Sequence, residues 1–341
     1  MKKFRSGSKL MLLFVLLLIT SILVFAVLYN RTINKPLKSN DSTIMIEVRQ
    51  GEGFYDILNR LDKEGKLFNK LLLKVKLSID KKEIKLIEGV YEIDGNSNLD
   101  NLIKSLESTA DNKELIKLTI PEGYTIEDIA SEVEKQGFCS KDEFLEKVKN
   151  YPVPSFVKVS EKKKYNLEGY LYPDTYLIKK GSDGEYIINM MIMRFNQVIN
   201  QAKDETGVDL DSQDIEKIIN IASMIESEAR FDNDRPLISS VIYNRLEKNM
   251  KLQLDATVIY SLGYHVDVVL NRHLAIDSAY NTYKYEGLPI GPISNPGIKS
   301  IKAALLPKKT DYIYYVLKKD GTHYFTNNYD DFLTKKKELG Y

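Results

Sequence analysis

One cysteine, Cys139, and three histidines, His265, His273 and His323, are all that the 341-residue chain offers of these soft or borderline metal ligands. A lone thiol excludes an internal disulfide framework and any multi-cysteine metal site. The histidines show no i, i+4 spacing, so no metal is expected, and no motif asks for a cofactor. Charge of one sign is missing too: lysines interspersed with acids leave a formal net charge of +1. A polyanion surface needs a basic patch, so nucleic acid is not an expected partner. The Gly-x-Ser-x-Gly elbow, the Walker loop and the dinucleotide fingerprint are absent as well. His323 has no serine in a nucleophile setting to partner, so a structural hydrogen bond is its expected role.

The longest apolar run covers residues 10–29 and is broken only by Thr20 and Ser21. That is about the twenty residues needed to cross a bilayer. Lys2, Lys3, Arg5 and Lys9 precede it, which by the positive-inside rule leaves the N-terminus in the cytoplasm. The run exceeds a signal-peptide core, and no clean cleavage site follows it. The expectation is a single-pass protein of the cell membrane. Residues 1–9 form its tail, 10–29 its membrane helix and 30–43 a polar linker carrying Pro36. A small module then covers 44–110, and a larger domain covers 111–341.

Both folded parts read as α+β. Ile44, Ile46 and Val48 alternate as a strand, and helices are expected over 54–61, 69–77 and 99–106. A partial repeat follows at an offset of 72: Gly51, Asp56, Ile57, Lys63 and Gly65 return as Gly123, Asp128, Ile129, Lys135 and Gly137. One shared offset points to duplication of a supersecondary unit. Further helices are expected over 214–230, with Asp214 at its N-terminus, 236–249 and 300–305. Residues 257–262 read as helix or strand. Asp320-Gly321 marks a hairpin between 311–317 and 322–326.

The helix over 214–230 carries the chemistry. Ile215, Ile219 and Ala222 form one stripe, and Glu226 falls on it. Glu228 lies about 200° further round, on the side expected to be wet. A carboxyl group among isoleucines resists ionisation, which makes a general acid near neutral pH. The alternative places Glu226 at the helix rim, in water or paired with Arg230.

Three aromatic and amide tracts could grip an uncharged saccharide. The first supplies Glu168, Tyr170, Tyr172 and Asp174. The second supplies Asn244, Gln253, Asp255, Thr257 and Tyr260, and the third Tyr280, Asn281 and Tyr283. A stiff loop with three prolines, residues 287–297, follows.

Residues 168–176, 221–228, 252–260, 280–283 and 287–297 resemble, in that order, the YceG-like endolytic murein transglycosylases, the MltG family. Ser227 and Ala256 stand where some members have Lys and Pro. The resemblance implies an N-terminal membrane helix, a small LysM-like subdomain and an extracytoplasmic catalytic domain. It implies a lysozyme-like helical active-site element with Glu226 as the catalytic acid. It also implies peptidoglycan strands as substrate, the cytoplasmic membrane as support and peptidoglycan synthases (penicillin-binding proteins) as candidate partners. One acid suffices for such a reaction, because the sugar's own O6 hydroxyl attacks C1. A hydrolytic muramidase using Glu226 with Asp255 or Asp174, and a non-catalytic wall-binding scaffold, are the alternatives.

Overall fold

The computed structural model describes residues 4–38, 43–49, 51–81, 83–108, 115–210, 212–264, 266 and 268–341. His265 and the side chain of Asp214, the expected helix cap, lie outside the described residues. The chain divides into two compact units, the first ending at Ile116 and the second running Lys117–Tyr341.

The first unit opens with helix α1 (Phe4–Asn34), whose stretch Met11–Asn34 is long and apolar enough to cross a membrane. Strand β1 (Thr43–Val48), helices α2 (Phe54–Lys63) and α3 (Lys70–Asp80), strand β2 (Gly89–Asp94) and helix α4 (Leu99–Leu106) follow. The two strands pair antiparallel from Thr43↔Asp94 to Val48↔Gly89. Their inward side chains, Ile44, Ile46, Val48, Tyr91 and Ile93, meet Ile57, Leu58, Leu73 and Leu102 in one core. The expected linker over 30–43 is corrected at its start. Helix α1 continues through Asn34, and Leu37 is fully buried and bridged to Leu67. Its polar composition hid that one apolar anchor.

The 72-residue offset is structural. Strand β3 (Leu115–Thr119) and helix α5 (Ile126–Lys135) stand 72 positions after β1 and α2. Helix α6 (Lys141–Asn150) and strand β4 (Thr175–Lys179), which pairs with β3, complete a second strand-helix-helix-strand unit. The equivalent carboxylates do the same work: Asp56 accepts from the Gly53 amide at 3.1 Å, and Asp128 from the Thr125 amide at 2.9 Å. Each satisfies a helix-start donor that would otherwise be orphaned.

The rest of the second unit is mostly helical: α7 (Gly184–Thr206), α8 (Ser212–Glu228), α9 (Arg235–Glu247), α10 (Asp255–Leu262), the short α11 (Asn271–Leu274) and α12 (Ile298–Leu305). The open choice over 257–262 resolves as helix, stopped by Gly263 at φ 73°. Hairpin β5 (Tyr314–Leu317) and β6 (His323–Thr326), then α13 (Tyr329–Leu339), close the chain. Helix α8 is central and packs against α12, α9 and α10. Its Ile219, Ile221, Ala222 and Ile225 are fully buried against Ile238, Ile301 and Ala304. Burying each isoleucine contributes roughly 1.5–3 kcal/mol, which fixes the helix and therefore the direction of its last turn.

Candidate active site

The last turn of α8 presents Glu226, Ser227 and Glu228 in opposite directions. Glu226 points inward as expected, its side chain only 6% exposed, but its neighbours are not apolar. Oε1 lies 2.9 Å from Nη1 of Arg235, and Oε2 accepts the Gly297 amide at 3.0 Å. Arg235 also donates to the Ser300 hydroxyl. Gly123 approaches from the other side, where an added Cβ would sit 3.6 Å from the Glu226 Cγ. A third carboxyl group, Glu122, is pushed up by burial and then by the Glu226 charge. The ion pair at position 226 is thus with Arg235, not Arg230. The expected lone acid among isoleucines is corrected: helical periodicity fixes which residues face inward, not what another helix brings there.

Glu228 has the raised pKa expected of Glu226, though among polar and aromatic side chains rather than isoleucines. It lies on the wall of a groove of about 650 Å³, beside Arg245, Asp255, Tyr283, Tyr315 and His323. Burial raises its pKa to about 7, and the nearby Asp255 charge adds to that. The Tyr315 hydroxyl donates to Oε2 at 3.0 Å, which acts the other way but does not cancel the burial. The side of α8 expected to be wet is therefore roofed by the β5–β6 hairpin. Tyr315 stands 87 residues downstream.

Of the expected saccharide contacts, Gln253, Asp255 and Tyr283 line this groove. Tyr283 donates to Asp255 at 2.5 Å, orienting its carboxylate. A second hollow of about 370 Å³ includes Tyr260, Glu127 and Lys164, and Ser227 borders both spaces. Tyr314, Tyr329, Phe332 and Tyr341 add aromatic faces to the larger groove. Sequence spacing missed these because the hairpin and α13 fold back from the chain's end.

Most of the other expected contacts are turned to structural use. Glu168 is 1% exposed and accepts from the Ile126 amide at 3.0 Å, the Asn295 side chain at 3.0 Å and the Tyr260 hydroxyl at 2.9 Å. Tyr170 is fully buried, edge-on to Phe195, and Tyr172 is buried beneath Arg194. Asp174 is held by Arg194 at 2.6 Å. Asn244 donates to the carbonyls of Thr310 and Tyr312, tying α9 to the segment before the hairpin. Thr257 bonds the Thr282 hydroxyl, and Asn281 donates to Leu274 and Ile276. Tyr280 accepts the Lys164 amide and packs edge-on to Tyr260. Most of these polar groups are satisfied inside the fold, while the Tyr170 hydroxyl is buried without a partner and the Asp174 side chain stays 37% exposed. His323 makes the structural hydrogen bond expected of it, its Nδ1 2.8 Å from Asp234.

The proline-rich loop lies along α8. Asn220 donates to Pro289 at 2.7 Å, and Ser223 accepts from Ile293 at 3.1 Å. Gly169 makes this approach possible, since at φ 90° an added Cβ would lie 2.6 Å from Pro292.

Glu168 and Glu228 give the fold a pH dependence. Burial lifts Glu168 from 4.5 to about 8, and Glu228 from 4.5 to about 7. Both folded-state values are raised, so the folded chain binds protons that the unfolded chain has released. Their stabilising contribution is full below about pH 4.5 and is lost as pH rises through 7–8. Melting temperature should therefore fall from pH 5 to pH 8.5 more steeply in the parent than in Glu168→Gln. Parallel slopes in a calorimetric pH series would contradict the burial argument.

A model of the YceG-like family matches residues 46–338. The chain is 35% identical over 314 residues to a protein of Bacillus subtilis named endolytic murein transglycosylase, covering 88% of this chain and 86% of that one. A Streptococcus pneumoniae protein of the same name is 30% identical over 326 residues, 87% of this chain and 58% of its relative. A crystal structure of a yceG-like protein from Listeria monocytogenes superposes with a TM-score of 0.60 at 34% identity, covering 86% of this chain and 99% of that one.

Proposed function

From the premise that the chain belongs to the YceG-like family, we propose that it is a membrane-anchored endolytic lytic transglycosylase of nascent peptidoglycan; the resemblance puts its acid at Glu226, and the groove favours Glu228 on the same helix turn. The observation that carries the residue assignment is a carboxyl group on the wall of a tyrosine-lined groove, bonded to the Tyr315 hydroxyl and raised in pKa by burial. At neutral pH such a group still holds a proton for much of the time, while Glu226 is occupied by Arg235.

The substrate bond is the β-1,4 link from N-acetylmuramic acid to N-acetylglucosamine. Glu228 gives its proton to the bridging oxygen as the C1–O bond breaks, so the N-acetylglucosamine leaves as the alcohol. The muramic O6 then attacks C1, and its proton passes to the Glu228 carboxylate. A 1,6-anhydro end forms, no water is consumed and the acid is regenerated. Gln253, Asp255 and Tyr283 would hold the strand, and the aromatic wall would stack on sugar faces. Ended strands would terminate chain elongation beside the synthases that make them.

Helix α1 supports the membrane anchor, and the basic residues before it support an N-terminus inside with both folded units outside. The strand-helix-helix-strand order of the first unit supports the LysM-like reading, and the helix-borne acid supports the lysozyme-like one. A second reading has one specific support: Asp255 shares the groove with Glu228, and two carboxyl groups would allow hydrolysis. Mass spectrometry of uncrosslinked strands cut by the full-length chain separates the two. Anhydro ends are expected; reducing ends heavier by one water would transfer the role of nucleophile or base to Asp255 and overturn the non-hydrolytic route.

A further inference from the structure

The first unit carries an apolar stripe that its own core does not use. On α3, Leu71, Val75 and Ile79 are 70%, 38% and 67% exposed, while Leu72, Leu73 and Leu77 are buried. Spacing by four places the exposed three on one face. Lys74 flanks them, its ammonium 5.8 Å above the ring of the half-exposed Tyr55. Lys70 and Lys76 pair with Asp62 and Asp80, and Lys81 ends the helix exposed.

The position of this stripe follows from α1. Residues 11–28 of α1 are exposed, as a lipid-facing segment would be. Burial along α1 begins at Tyr29, where the apolar run ends. Thr32 is buried, Ile33 packs on the module core, and Arg31 lies 4.6 Å above the Phe68 ring. Lys35 donates to Asn96 at 2.8 Å, and Leu37 is buried. Helix α3 itself packs against α1. With about twenty residues used to cross the hydrocarbon, those contacts hold α3 at the height of the lipid headgroups.

We infer that α3 lies in the outer interface of the membrane that α1 crosses. Leu71, Val75 and Ile79 enter the acyl boundary, and Lys74 and Lys81 meet anionic phosphates. This is the composition of an interfacial helix, an apolar face edged by lysine and an aromatic ring. The occupant is lipid, because the helix that carries the stripe is packed against the helix that crosses the membrane. The module is then seated on the bilayer rather than swinging from a tether. The inference rests on the reading of α1 as a membrane span.

The chain has no tryptophan, so one introduced indole reports alone. The full-length protein would be reconstituted in vesicles of phosphatidylglycerol and phosphatidylethanolamine, with bromine placed either high in the acyl chains or near their ends. Ile79→Trp should emit at short wavelength and lose most of its emission to the high bromine. Leu17→Trp should respond to the deep bromine. If Leu17→Trp is quenched while Ile79→Trp emits as in water, the anchor stands and the interfacial helix is refuted. If Ile79→Trp is blue-shifted but untouched by either label, a protein surface covers the stripe, and lipid is refuted as its occupant. If neither indole is quenched, the span reading and the inference fall together.

Discussion

Glu228→Gln should abolish strand cleavage without unfolding the chain. A positioned general acid is worth about 10²–10⁴ in rate, and the amide cannot give a proton to a leaving oxygen. The fold should tolerate the change, because Gln offers the same acceptor to the Tyr315 hydroxyl. It also removes a group whose ionised form is disfavoured by burial. The melting temperature at pH 8 should therefore be unchanged or higher. In the parent, kcat/KM should fall by about tenfold per pH unit once pH passes about 7, because the reactive form is the protonated one. Measuring cleavage of uncrosslinked strands from pH 5 to pH 9 tests both halves. Full activity in Glu228→Gln, with loss in a folded Glu226→Gln, would return the acid to position 226.

Much of this was legible in the chain. The offset of 72 predicted a repeated strand and helix, and β3–α5 repeats β1–α2 at that spacing. Period 3.6 put Glu226 inside and Glu228 about 200° away, and the side chains obey it. What the period could not supply was the content of each side. The interior at Glu226 holds Arg235, from the first turn of the next helix. The outer side at Glu228 is covered by a hairpin whose sequence signal, Asp320-Gly321, gave its turn but not its docking place. The same limit explains the tyrosine tracts. Tyr170, Tyr172 and Tyr280 have a composition suited to sugars, yet long-range packing turned them inward. Tyr314, Tyr315 and Tyr341 reached the groove from the far end of the chain.

If Glu228 does the chemistry, the ion pair at Glu226 has a different use, and removing half of it should be costly. Arg235→Ala would leave the Glu226 carboxylate enclosed with only the Gly297 amide as partner. Breaking a buried pair from one side costs about 3–5 kcal/mol, since the remaining charge has lost its compensation. For a unit of this size that lowers the melting temperature by roughly 10 °C. Glu226→Gln should cost less. Its amide oxygen can still accept from Gly297 or Arg235, and Arg235 keeps Asp232 at 3.4 Å and the Ser300 hydroxyl. The double variant Arg235→Ala/Glu226→Gln should then be more stable than Arg235→Ala alone, because no stranded charge remains. Urea titration of all four proteins closes that cycle. A double variant as unstable as the sum of the singles would mean that Arg235 acts through its packing on Ser300 and not through Glu226. With the expected sign, the two carboxylates of one helix turn divide the labour: one ties α8 to α9 and the Gly297 loop, and the other, on the opposite side of the same backbone, faces the groove.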